Sequence, residues 1–178
     1  MGFSEKHGDS EISGDFSQLE KLVKELKSDH YVDVGILGEA GSTEEGGLTL
    51  AALGVVHEFG TDKAGRGNKT KIPARSFIKM PLETKQGDIQ AGAEKNLEKN
   101  LAAGDVKQVF TDIGIAGEAA IQEAFDTAGF GKWAPNSPVT IEGSKPDKEG
   151  NQFIKGKGSD SPLIDDGTLR KGITSQAK

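Results

Sequence analysis

The chain of 178 residues carries 22 Lys and Arg against 28 Asp and Glu, a net charge of −6, so its surface as a whole is not a footprint for nucleic acid. It has no Cys, which excludes disulfides and thiolate metal centres. Gly fills 25 positions, twice the usual share of about 7%, while Ile, Leu, Val and Phe together fill 40, just above the roughly one-fifth share below which charged chains stay disordered. Such a chain can build a small core and carries long polar segments besides, as expected of a subunit ordered by its neighbours.

The opening residues Met1 to Gly8 hold no apolar run of the signal-peptide kind, and no stretch approaches the ~18 apolar residues of a membrane span. The expectation is an unexported protein without a membrane partner. Residues 1–14 are polar and rich in Gly and Ser, and read as a mobile N-terminal arm. Residues 15–178 read as a single domain.

Leu19, Leu22, Val23 and Leu26 recur at helical spacing and predict a helix over 16–27. Tyr31 to Leu37 alternates and is rich in β-formers, which predicts a strand. A polar, acidic loop over 38–47 follows, then a buried helix over 48–59 that Gly60 ends in a left-handed cap. Residues 61–71 read as a loop rich in Gly and basic residues. Pro73 to Glu83 reads as a turn and a short helix, with Pro81 a break or first-turn proline.

Two longer helices come next. Ile89, Ala93, Leu97 and Leu101 line the first, over 88–103, and Gly104 closes it. Asp105 caps the second, which runs to about 128 with Val106, Phe110, Ile113, Ala120, Ile121 and Ala124 on one face. Ser137-Pro138 is a cap followed by a first-turn proline. Residues 143–161 are dense in Gly and charge and read as an extended loop that a neighbour must clasp. A short helix near Asp166 to Lys171 and a last strand end the chain. The fold class expected is α+β: a small mixed sheet of 31–37 and the C-terminal segment, packed with the two longer helices, with long polar loops.

Reactive chemistry is sparse. His57-Glu58 opens like the zinc-protease helix motif, but Thr61 stands where the second His is required. Gly65, Gly67 and Lys69 lack the spacing of a phosphate loop. Ser137, Thr140 and Ser161 have no nucleophile-elbow glycines around them. Asp165-Asp166 before Gly167 suits a helix cap better than catalysis. The expectation is a protein that is not an enzyme and holds no cofactor or metal. Lys63, Arg66, Lys69 and Lys71 against Asp62 give the 60–71 loop a local +3, read as a solvated loop first and as a contact to DNA or an acidic partner second.

Three stretches stand out by pattern. The first runs from Val34-Gly35-Ile36-Leu37 through His57-Glu58-Phe59-Gly60 to Pro73-Ala74-Arg75-Ser76-Phe77-Ile78. The second is Trp133-Ala134-Pro135-Asn136-Ser137-Pro138-Val139-Thr140. The third is Leu163-Ile164-Asp165-Asp166-Gly167-Thr168-Leu169-Arg170. Together they resemble the virion-morphogenesis and tail-completion proteins of Mu-like and related tailed phages, over about half the chain. Asn136 departs from the Leu that the family often has, and Asp166 from its Thr. The chain also ends at Lys178, where many relatives continue.

The resemblance implies a structural virion protein at the head-tail junction, or neck, assembled in the host cytoplasm. It would complete the tail or join it to the head as part of a homo-oligomeric, six-fold ring. A tail terminator or another tail or baseplate component is the alternative. Its partners would be other neck and tail proteins: stopper or adaptor, terminator and tail tube, with DNA contact at most non-specific. Arg and aromatic side chains dominate interfaces, so Arg75, Phe77, Ile78, Trp133, Leu169 and Arg170 are the expected contact residues.

Overall fold

A computed structural model describes residues 17–178 apart from Thr43, Gly46, Arg66, Asn68 and Gln152. The expected N-terminal arm, Phe16 and Arg66 lie outside the described residues. Among the described residues fourteen elements follow one another: α1 (Ser17–Leu26), β1 (Val32–Ile36), α2 (Gly38–Ser42), β2 (Glu44–Glu45), β3 (Leu48–Thr49), α3 (Leu50–Phe59), β4 (Thr61–Ala64), β5 (Thr70–Ile72), α4 (Lys79–Thr84), α5 (Gln86–Ala102), α6 (Val106–Asp126), α7 (Pro138–Glu142), α8 (Thr168–Lys171) and β6 (Ile173–Ala177).

The fold is α+β. The sheet at its centre pairs β1 with β6 in antiparallel register, Val32 opposite Ala177 and Ile36 opposite Ile173. It joins the 31–37 strand to the C-terminal segment as expected, and it is antiparallel rather than mixed. Reciprocal bonds between Tyr31 and Lys178 extend the ladder, and the Lys178 ammonium meets Asp33 at 2.6 Å.

α5 and α6 form a helical hairpin. Asp105 caps α6, its side chain accepting from the Gln108 amide at 2.9 Å. Asp112 ties the two helices together by accepting from Asn100 at 2.9 Å and from Asn96 at 3.3 Å on α5. α6 lies against the sheet where Gly114 stands. A Cβ there would come within 2.5 Å of the Ser175 hydroxyl and 3.0 Å of Val32, so the close approach depends on its absence.

The core lies where α3, α6, α8 and the sheet meet. Phe77, Ile121 and Ala124 are fully buried there, and Leu50, Phe125, Trp133, Leu169 and Ile173 nearly so. Phe125 packs its ring edge-on to Trp133 at 5.5 Å and tilted to Phe77 at 5.7 Å, the geometry aromatic quadrupoles favour.

Several local expectations differ from the structure. The 38–47 loop contains the helical turn α2 and β2, and β2 pairs with β3 at Leu48 and Thr49, the first two residues of the helix expected over 48–59. Where a loop was expected, β4 and β5 pair as an irregular antiparallel ladder. Their side chains neither alternate nor offer an apolar face, so pattern alone could not mark them as strands. Gly60 ends α3 with φ 72° and ψ 174°, a positive-φ extended backbone rather than a left-handed cap. The chain therefore leaves the helix straight into β4. A Cβ on Gly60 would also meet the Ala74 amide at 2.7 Å, because the chain returning from β5 passes against it.

Candidate functional site

The site is built on the end of α3 and on what the β4–β5 hairpin brings back to it. The hairpin reverses the chain, and the Arg75 amide donates to the His57 carbonyl at 2.7 Å. Residues 76–79 then stand before the Glu58 carboxylate, which accepts four hydrogen bonds. Oε1 takes the Ser76 hydroxyl at 2.6 Å and the Lys79 amide at 3.1 Å. Oε2 takes the amides of Phe77 at 2.8 Å and Ile78 at 3.0 Å. A helix leaves its first amides without partners, and a carboxylate there satisfies them while complementing the helix dipole. Glu58 is thus the cap of α4, supplied from 18–21 residues away. Its acceptor capacity is spent on three backbone amides and the Ser76 hydroxyl.

Arg75 extends the joint to the second stretch. Nε donates to the Ala134 carbonyl at 2.7 Å and a terminal nitrogen to the Pro135 carbonyl at 2.8 Å, with Asn136 Oδ1 at 3.5 Å. Trp133 returns the connection: its indole N–H donates to the Ser76 carbonyl at 3.0 Å. Ser137 caps α7 by accepting from the Thr140 amide at 3.2 Å, and Pro138 occupies the first turn. In the third stretch Asp166 accepts from the amide and hydroxyl of Thr168 at 2.8 and 2.7 Å, which starts α8 and drives Leu169 into the core.

Beside the joint runs a groove of about 740 Å³, lined among others by Leu53, His57, Arg75, Asn136, Lys157 and Asp165. His57 Nδ1 and Asn136 Nδ2 are buried there without a hydrogen-bond partner. Burial, and secondly the Arg75 guanidinium, hold the His57 imidazole below its usual pKa. The Lys157 ammonium donates to the Ile164 carbonyl at 2.7 Å, and burial lowers its pKa. Among the described residues, no group of three His, Asp or Glu side chains gathers to hold a metal ion.

His57 makes stability depend on pH in a known direction. A base whose folded pKa lies below its unfolded value of about 6.5 binds more protons when unfolded. Its contribution is present above pH 6.5 and is lost as pH falls toward the folded pKa. Thermal unfolding at pH 7.5 and 5.5 should therefore show a fall in Tm that His57→Gln reduces. An equal fall in both proteins would remove His57 as the cause.

The six expected contact residues fall in different places. Arg75, Phe77, Trp133 and Leu169 are buried within the subunit itself, a correction to their reading as anchors on its surface. Arg and aromatic side chains beside turns give the same sequence signal whether they clamp their own chain or a partner. Arg170 is half-buried and committed to its own chain: Nε donates to Gln122 at 2.6 Å and the fork meets Asp126 at 2.6 and 3.0 Å. Ile78 packs against the core on one side and lines a surface hollow on the other.

Of the basic residues, Lys63 lies on β4, Lys71 on β5, and Lys69 just before β5. Lys71 pairs with Asp62 at 3.3 Å, which offsets part of the hairpin's positive charge. The 143–161 segment, expected to need a neighbour for order, has ties of its own. Lys157 and Gly158 amides donate to the Thr140 and Ile141 carbonyls of α7 at 3.0 and 2.9 Å. The residue that sequence reasoning missed is Glu58, weighed only as half of a metal motif. Its helix-end position beside a hydroxyl-bearing helix start was the one available signal.

Compared with protein-family models, curated proteins and solved structures, the chain matches none of them.

Proposed function

We propose that the chain is a structural subunit of the head-tail junction of a tailed phage, completing the tail or joining it to the head as part of a ring. One observation carries the reading. Stretches with tail-completion character, separated by some sixty residues, meet at one joint through Glu58, Arg75 and Trp133. Short motifs scattered by chance have no reason to supply one another's caps and carbonyl partners.

The surface suits an assembly subunit. Leu19, Val23 and Leu26 make an exposed apolar stripe on α1, and Val55 and Phe59 stand exposed on α3. Apolar side chains gathered at the surface mark contact sites in soluble proteins. The subunit acts by shape and contact, without a reaction or cofactor, and its partners are further copies and other neck and tail proteins.

Electron microscopy of a lysate from a phage with a nonsense mutation in this gene tests the reading. Full heads beside separate tails are expected. Tails of irregular length would move the assignment to the terminator, and complete infectious particles would overturn it.

A further inference from the structure

α1 is held loosely by the rest of the subunit. Among its described side chains only Leu22 and Glu25 are half-buried, and the others are exposed. It is moored just past its C-terminal end. There the His30 ring lies against Phe110 of α6 at 5.2 Å, and its Nε2 donates to the Glu25 carbonyl at 2.8 Å. A helix of ten residues with so little packing is marginal in water by itself. A second surface laid against it would stabilise it.

The bare face has a definite pattern. Leu19, Val23 and Leu26 are 54%, 41% and 54% exposed, and they recur at intervals of four and three residues, the spacing of a helix–helix seam. Glu20, Lys24 and Lys27 run along one border of that row and share a shallow hollow with Leu19 and Val23. The border is acidic toward the N-terminal end of the helix and basic toward its C-terminal end. Among the described residues none of Glu20, Lys24 and Lys27 forms an ion pair within the subunit.

That polarity selects the partner. A two-fold axis between antiparallel copies of α1 brings the same border of each together, end to opposite end. Glu20 of one copy then faces Lys27 of the other, and the pair occurs twice. In this register Leu19, Val23 and Leu26 of one copy fall level with Ser28, Lys24 and Lys21 of the other. The two apolar rows therefore alternate along the shared axis and interdigitate. Opposite charges at both ends favour this direction and register. A partner helix of uniform charge would leave one end of the border against like charge.

We propose that α1 pairs antiparallel with α1 of a second copy, with the Leu19–Val23–Leu26 row at the seam and a Glu20–Lys27 pair at each end. Helices this short bury less than the about 1,200 Å² at which stable interfaces begin, so the dimer is reversible and forms as concentration rises. A two-fold contact closes on itself and builds no ring. It covers the apolar row in the free subunit, and it does not depend on the proposed function.

Sedimentation of the purified full chain at low salt tests the pair. The wild type is expected to pass from monomer to dimer with concentration. Glu20→Lys and Lys27→Glu should each weaken the dimer roughly tenfold, since two exposed pairs turn from attraction to repulsion. An equimolar mixture of the two variants should dimerise like the wild type, because the introduced Lys of one then faces the introduced Glu of the other. The chain has no Cys, so Val23→Cys beside the axis should give a disulfide-linked dimer on mild oxidation. Val139→Cys, on α7 and similarly exposed at 46%, should not. A wild type that is monomeric at every concentration, a mixture that does not recover, or Val23→Cys linking no faster than Val139→Cys would overturn the pair. Separate heads and tails in the lysate together with a monomeric purified chain would retain the neck role and discard the α1 contact.

Discussion

Arg75→Ala should destabilise the isolated subunit by about 3–5 kcal/mol, read by urea unfolding. The substitution removes two charge-assisted hydrogen bonds, each contributing about 1.5–3 kcal/mol, and leaves the Ala134 and Pro135 carbonyls without their donor. Arg75 is 6% exposed, so water replaces the guanidinium poorly. Arg75→Lys should recover little, since one ammonium cannot reproduce the fork that reaches two successive carbonyls. Loss of assembly with unfolding unchanged to within about 0.5 kcal/mol, the scatter of ordinary surface substitutions, would return Arg75 to the partner-facing role that its sequence context suggested.

Glu58→Ala should cost about 2–4 kcal/mol in the same measurement. Four donors lose their acceptor at once, three of them first-turn amides or their immediate neighbours at the start of α4. Loss of an ordinary helix cap costs about 1 kcal/mol, and the larger figure reflects the hydrogen bonds to a charged group. Glu58→Gln separates charge from shape: it keeps one acceptor oxygen but turns its amide NH2 donor toward backbone amide donors, so it should fall close to Ala. Wild-type stability in Glu58→Gln would mean that the carboxylate charge contributes nothing to the cap. Because Glu58 and Arg75 hold the same 75–79 segment, the double variant should lose less than the two single losses added.

Both effects arise from contacts that sequence pattern reaches poorly. The zinc-motif likeness drew attention to His57 and Glu58 for chemistry, while the same Glu is bound to the start of the next helix. Arg75 carried the right emphasis for a different reason. The prevalence of Arg and aromatic side chains at interfaces made it an expected contact residue, and its targets are carbonyls 59 and 60 residues further along its own chain. Phe125 shows a smaller gap: the apolar face assigned to the long helix stopped at Ala124, yet Phe125 joins Phe77 and Trp133 in the core. The helix end lies where periodicity loses its next turn.

The sequence by itself determined what depends on neighbours within one or two turns. The periodic helices α1, α3, α5 and α6, the strand β1, the Asp105 cap and the Ser137-Pro138 start of α7 are all legible there, because 3.6-residue and two-residue spacing and capping side chains act over three or four positions. The α+β class followed from those elements in order. Only the tertiary structure decided the pairing of polar β4 with β5, the Glu58 cap, the Arg75 clamp and the burial of Phe77, Trp133 and Leu169 inside the subunit. A hydrogen bond across tens of residues leaves no period in the chain, and a buried side chain is chosen by the shape around it rather than by its neighbours in sequence.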